Sequence, residues 1–156
     1  MRNKSGFSLI ELLMVIAVIA VVSAVMVPSI ISWRNGAKLR GAAGNLKGDL
    51  EMAKVNAIKQ NNFVAVKFDG NAYEVFVDTS GDGDRDADEP LLKTRTLPAG
   101  VIFDFGHEDW TFLSNVTRFN GRGTADNGTA ILTNVQGQER HIKISPLGRI
   151  RVEILN

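Results

Sequence analysis

The feature that most restricts this chain is an apolar run from Phe7 to Ile31 whose only charged residue is Glu11. A bilayer-spanning helix needs roughly 20 apolar residues, so the run is long enough to cross. Before it comes a short polar leader, Met1-Arg-Asn-Lys-Ser-Gly6. A secretory signal has a shorter apolar core, with its small-residue cleavage site after that core. Here the run passes into Val27-Pro28-Ser29-Ile30-Ile31-Ser32-Trp33 without an A-x-A site, and the small residue, Gly6, stands in front. In hydrocarbon an unpaired carboxylate costs several kcal/mol, so Glu11 has to be neutralised or paired.

The stretch Lys4-Ser-Gly-Phe-Ser-Leu-Ile-Glu-Leu-Leu13 resembles the type III signal of type IV pilins and type II secretion pseudopilins. The resemblance implies that a prepilin peptidase cuts between Gly6 and Phe7 and methylates the new amino terminus, leaving the apolar helix in place. The Phe7 amine then lies about one helical turn from Glu11. It can pair within the chain or with Glu11 of a neighbouring subunit, and the resemblance implies the second arrangement, which sets subunit register during assembly. Implied partners are other pilins or pseudopilins, the peptidase and an inner-membrane assembly platform. The implied location is the inner membrane, single-pass with a periplasmic carboxyl-terminal domain, and a filament or pseudopilus after assembly.

Polarity rises at Ser32-Trp33-Arg34. Trp33 and Arg34 suit a membrane–water boundary, and packing of Trp33 on a soluble domain explains it equally well. Leu39, Ala43, Leu46, Leu50, Ala53 and Ala57 then recur at steps of three or four and form one helical stripe. Lys38, Arg40, Lys47, Asp49, Glu51, Lys54 and Lys59 lie mostly off it. Gly36, Gly41, Gly44 and Gly48 each weaken the helix by about 1 kcal/mol against alanine, so a sheet along the stripe has to support it. Pro28 removes one helical hydrogen bond and can kink the run. Asn61-Asn62 ends it.

Strand signals begin at Phe63. Phe63–Phe68 and Ala72–Val77 flank Asp69-Gly70-Asn71, a hairpin turn signature. Further strands are expected at Leu91–Leu97, Val101–Phe105, Trp110–Leu113, Thr129–Thr133, Glu139–Ser145 and Arg149–Leu155. One long helix followed by short strands predicts an α+β fold. The blocks Phe119-Asn-Gly-Arg-Gly123 and Arg140-His-Ile-Lys-Ile-Ser-Pro-Leu-Gly-Arg-Ile-Arg151 resemble the soluble domain of the GspH/FimT group of minor pilins and pseudopilins. The expected organisation is pilin-like: a leader at 1–6, a transmembrane or filament-core helix at 7–31, its amphipathic continuation at 32–61, and a β-rich domain at 62–156. The helix would pack on an antiparallel sheet. Cysteine is absent, so an exported domain relies on its core alone. That departs from many major pilins, which close their carboxyl-terminal region with a disulfide, and fits minor pilins and pseudopilins.

Eighteen Lys and Arg stand against 17 Asp and Glu, so net charge gives no reason to expect nucleic acid. Its distribution is uneven. In the acidic loop 78–89, Asp78, Ser80, Asp82, Asp84, Asp86 and Glu89 fall at the oxygen-ligand positions of an EF-hand, with Gly83 at its sharp turn. The loop reads either as a calcium site or as a solvated acidic loop, since it joins strands and carries Arg85 where an apolar residue is usual. Alternation around Pro146-Leu147-Gly148 places Ile142, Ile144, Ile150, Val152 and Ile154 inward, and His141, Lys143, Arg149 and Arg151 on one outer face. Such a cluster can neutralise phosphates. Gly148-Arg-Ile-Arg151 is similar to the G-R-x-R motif of DNA-binding minor pilins, which implies DNA contacts for Lys143, Arg149 and Arg151. A solvated face or a subunit contact accounts for the same residues. Catalysis has no foothold: there is no cysteine nucleophile, His107 and His141 sit in no recognisable metal or triad motif and are expected at the surface, and no P-loop lysine follows Asn120-Gly-Arg-Gly123.

The function expected is structural, a minor pilin or pseudopilin, with a DNA-binding minor pilin as the alternative. Glu11→Gln should give a processed, membrane-held chain that fails to enter filaments. Immunoblots of sheared filament and membrane fractions check this, and normal incorporation would remove the role given to Glu11.

Overall fold

The computed structural model describes residues 7–154. Gly6, with the expected cleavage point, and Leu155, the expected end of the last strand, lie outside the described residues. The chain forms two compact units, one ending at Arg34 and the other starting at Asn35. Helix α1, Leu9–Gln60, contributes to both.

In the first unit every residue from Phe7 to Arg34 is exposed. α1 is long and apolar enough there to cross a membrane. Pro28 lies inside the helix without ending it, and Trp33 is exposed.

The second unit is built on the predicted stripe. Leu39, Ala43, Leu46, Leu50, Ala53 and Ala57 are all buried. The helix stops at Gln60 because Asn61 takes a left-handed φ of 47°, a conformation asparagine tolerates better than most residues. The Asn62 N–H then donates to the Ala57 carbonyl at 3.2 Å and the Asn61 N–H to that of Ile58 at 3.3 Å. This double closure satisfies two of the last orphan carbonyls.

Eight strands follow: β1 Phe63–Asp69, β2 Ala72–Asp78, β3 Leu91–Thr96, β4 Val101–Phe103, β5 Val116–Phe119, β6 Gly128–Asn134, β7 Glu139–Ile144 and β8 Ile150–Glu153. They make two antiparallel four-stranded sheets, ordered β3-β2-β1-β5 and β4-β6-β7-β8. Side chains of both sheets and the helix stripe form one core, Val64, Val66 and Phe68 meeting Leu46, Leu132 and Ile142 in the same cluster. Phe68 is ringed by Tyr73, Phe103, Trp110 and Phe112, with centroids 5.1–6.4 Å away.

Two strand expectations need correction. Trp110–Leu113 is not a strand; its aromatic rings are committed to the core cluster, and Ser114 and Asn115 turn the chain with φ of 53° and 56°. The strand, β5, comes after that turn. Ile154, expected inward, is exposed beyond the end of β8.

Asp49 is a further departure. Expected off the stripe, it is buried, and Tyr73 Oη donates to its carboxylate at 2.7 Å, Lys93 Nζ at 2.6 Å and Arg95 Nε at 2.8 Å. Burial pushes its carboxyl up, but the donors from Lys93, Tyr73 and Arg95 outweigh it and hold it below the ordinary range. A carboxyl whose folded pKa is depressed contributes stability above its unfolded value, about 3.9, and loses it as pH falls through the folded value. Asp49→Asn should therefore lower the melting temperature at neutral pH, at a cost of about 1–3 kcal/mol, and should make less difference at pH 3 and below. An equal loss at both pH values would contradict the charge-based account.

Candidate functional site

Each sheet has a second face, and in both sheets a loop covers it. On the first sheet, Ala65, Lys67, Glu74, Phe76, Val116 and Arg118 share that face by alternation and register. The acidic loop 78–89 folds over them. Lys67 pairs with Asp84, Arg85 Nε lies 3.4 Å from Glu74, Arg118 donates to the Gly81 carbonyl, and Gly83 approaches Val116. Ala65 and Phe76 are thereby fully buried.

Within the loop the carboxylates hold the backbone. Asp78 accepts from the N–H of Gly81 at 2.7 Å and of Gly83 at 3.1 Å, and from Ser80 Oγ at 3.3 Å. Glu89 accepts from the N–H of Thr79, Ser80 and Asp86 at 2.6, 3.0 and 3.1 Å. Backbone donors from Ser80 and Asp86 hold its carboxyl below the usual range, as the Asp84 N–H does for Asp82. Burial, then the charges of Asp82, Glu89, Asp88 and Asp84, raises Asp86. The six residues at EF-hand spacing are thus in one loop, where Asp78, Asp82 and Glu89 accept from backbone amides and Asp84 pairs with Lys67. Among the described residues they do not converge as metal donors do, whereas His107, Asp109 and His141 do. The loop is closed by its own hydrogen bonds.

On the second sheet the cover is the segment after β4. The Asp104 N–H donates to the Ile131 carbonyl at 3.0 Å, and Thr111 exchanges bonds with Thr129. Ile131 and His141 face each other in register beneath it, and both are completely buried. The expectation that both histidines are surface residues therefore fails for His141: strand alternation does place it on the outer face, but that face is covered at this point. His107 is half-buried.

Further along the same face the cover ends. Lys143, Arg149 and Arg151 are exposed and line one groove with Thr111, Asn127 and Glu153. Lys143 Nζ lies 2.8 Å from Glu153, a pairing that raises the lysine and lowers the glutamate.

The two glycine-bearing blocks come together. Lys54 of α1 donates to the Gly148 carbonyl at 2.9 Å, and the Ala125 N–H to that of Pro146 at 3.1 Å. Gly148 has a φ of 68°, and a Cβ there would run into the Gly123 carbonyl oxygen; one at Gly121 would lie 2.9 Å from the Asn61 Cα. Only glycine permits these backbones to close on the end of the helix. Their place is architectural, in keeping with the lack of a P-loop lysine after Asn120-Gly-Arg-Gly123.

Glu11 stands in the first turn of α1, where its N–H donates to the Ser8 carbonyl at 3.1 Å. It is exposed on an apolar surface, and among the described residues no cation pairs with it. Phe7, four residues earlier, is exposed as well.

Comparison with known proteins bears on both halves. Residues 42–148 match the family model described as type II transport protein GspH, and residues 1–27 match the prokaryotic N-terminal methylation motif. The fold is similar to that of the type IV minor pilin FimU of Pseudomonas aeruginosa, at 20% identity and a TM-score of 0.59 over 79% of this chain and 92% of that one. It is also similar to the minor pseudopilin EpsH of the Vibrio cholerae type II secretion system, at 14% identity and a TM-score of 0.57 over 77% and 96%. A curated relative, the type IV wide pilus major component PilA4 of Thermus thermophilus, is 35% identical over 65 residues, which are 42% of this chain and half the length of that relative.

Proposed function

The chain belongs to the GspH family of type II transport proteins, and we propose on that premise that it is a structural minor pilin or pseudopilin subunit, processed by prepilin peptidase and assembled through α1. One observation carries the reading: a methylation motif over residues 1–27 overlaps the start of a helix whose apolar residues through Arg34 are all exposed. Such a surface needs lipid or other helices around it. In lipid it is satisfied without partners; in a filament core, close van der Waals packing against neighbouring helices replaces the acyl chains. Glu11 then favours the packed arrangement, because a neighbour's Phe7 amine can neutralise it where acyl chains cannot. The β domain, with its outer faces largely covered by its own loops, is carried on the exterior. The orientation this requires is an inner-membrane anchor with the domain in the periplasm.

The groove holding Lys143, Arg149 and Arg151 supports a second reading, contact with DNA phosphates. With Lys143 already paired to Glu153, the two arginines would carry most of it. A salt-sensitive mobility shift of the chain with duplex DNA, lost in R149A/R151A, is the expected result of that reading, and no shift at low salt removes it.

The structural reading is tested by mass spectrometry of the chain recovered from sheared filaments. The expected amino terminus is N-methylated Phe7. A chain still beginning at Met1 and found only in membranes would overturn both processing and assembly.

A further inference from the structure

We propose that His107, Asp109 and His141 form a binding site for a divalent transition metal of the zinc class. The cover over the second sheet brings them together. His107 and Asp109 belong to the segment anchored on β6, and His141 is the β7 residue it buries. One ligating atom from each lies within 4.8 Å of the others.

The chemistry turns on His141. It is completely buried, and its Nδ1 has no hydrogen-bond partner. That nitrogen lies 3.8 Å from Asp109 Oδ2. Its other ring nitrogen, Nε2, lies 3.2 Å from Glu139 Oε2. A carboxylate on Nε2 fixes the proton there, and the Nδ1 lone pair then faces a second carboxylate oxygen. A buried, unpartnered acceptor nitrogen with a carboxylate oxygen on its open side calls for a cation between them, either a proton or a metal ion. A carboxylate on the far nitrogen of an imidazole is the arrangement that orients metal-ligating histidines and raises their basicity. The His107 ring stands 5.3 Å from that of His141 and nearly perpendicular to it, bringing a third donor to the same point.

Two imidazoles and one carboxylate select zinc, copper, nickel or iron over calcium and magnesium, which prefer oxygen ligands throughout. Metal–ligand bonds of about 2.0–2.2 Å need the donors drawn closer than they stand. The half-buried His107 and the exposed Asp109 belong to the covering segment, so the movement falls on that segment rather than on β7. Asp109 opens to solvent, leaving room for water as a fourth ligand. The Asp109 N–H donates to His107 Nδ1 at 3.1 Å, a contact that binding through that nitrogen would exchange for the metal bond. An occupied site would tie the cover to β7 and lock down the outer face of the second sheet. Glu139 is a positioning residue in this scheme, acting through His141 and also through His107, whose Nε2 lies 3.5 Å from the same carboxylate oxygen.

The test is metal titration of the full chain in detergent after chelator treatment, read by calorimetry and thermal melting. Zinc is expected to bind one equivalent and raise the melting temperature by several degrees, with calcium producing no shift. Cobalt should give a visible absorption band of the kind low-coordinate nitrogen–oxygen sites produce. H107A and D109A, both outside the buried core, should lose the zinc shift and the cobalt band, and E139Q should weaken zinc binding by about tenfold or more. D86A, in the acidic loop, should leave both unchanged. No saturable zinc binding, or binding that H107A and D109A both retain, would overturn the site and leave a proton as the cation beside His141.

Discussion

Burial of one helix stripe is the interaction on which the soluble domain depends. Leu39, Leu46 and Leu50 are completely shielded, and Ala43, Ala53 and Ala57 on the same stripe let the sheets come close. Each fully buried leucine is worth about 1.5–3 kcal/mol. That burial supports a helix segment carrying Gly36, Gly41, Gly44 and Gly48, which would be poorly formed alone. The polar contacts are placed around the stripe rather than in competition with it: Asp49 meets Tyr73, Lys93 and Arg95 of the first sheet, and Lys54 reaches the Gly148 carbonyl at the second. Without disulfides, this packing is what a domain of this size has.

The same helix faces the opposite situation through Arg34, where large apolar side chains are exposed on every side. A helix apolar all round needs an apolar surrounding supplied from outside its own chain. A single carboxylate in that surface, Glu11, is tolerable only where its charge is answered. α1 is thus one element under two constraints, and the switch between them falls where the polarity of the sequence changes.

How far sequence could anticipate this follows from which signals are local. All six positions that periodicity assigns to the stripe are buried, because a helix imposes its spacing on residues close together in the chain, while Gly36, Ala42 and Asp49 are buried beside it without having been marked. Asn61-Asn62 and Asp69-Gly70-Asn71 marked their turns because backbone conformation is chosen residue by residue there. Alternation correctly turned Ile142, Ile144 and Ile150 inward and Lys143, Arg149 and Arg151 outward, but it could not say what covers an outer face. That depends on loops remote in sequence. Hence His141 went from an expected surface residue to a buried one, and the acidic loop, which spacing made resemble a cation site, closes over Phe76 through Asp84, Arg85 and the Arg118 contact at Gly81. Asp49 was missed for a similar reason: an acid on a helix reads as solvated unless its partners, 24 to 46 residues away in sequence, are known. Trp110 and Phe112 read as a strand because core aromatics at alternate positions look the same whether or not a ladder is present.

On the proposed reading α1 exchanges lipid for other helices. The chain contains no cysteine, so a single Ala17→Cys substitution gives one unambiguous attachment point for a photoactivated cross-linker in the apolar half. Illumination of isolated filaments should capture a neighbouring subunit's chain at that position. Capture of lipid alone, with the labelled protein confined to the membrane fraction, would contradict the account.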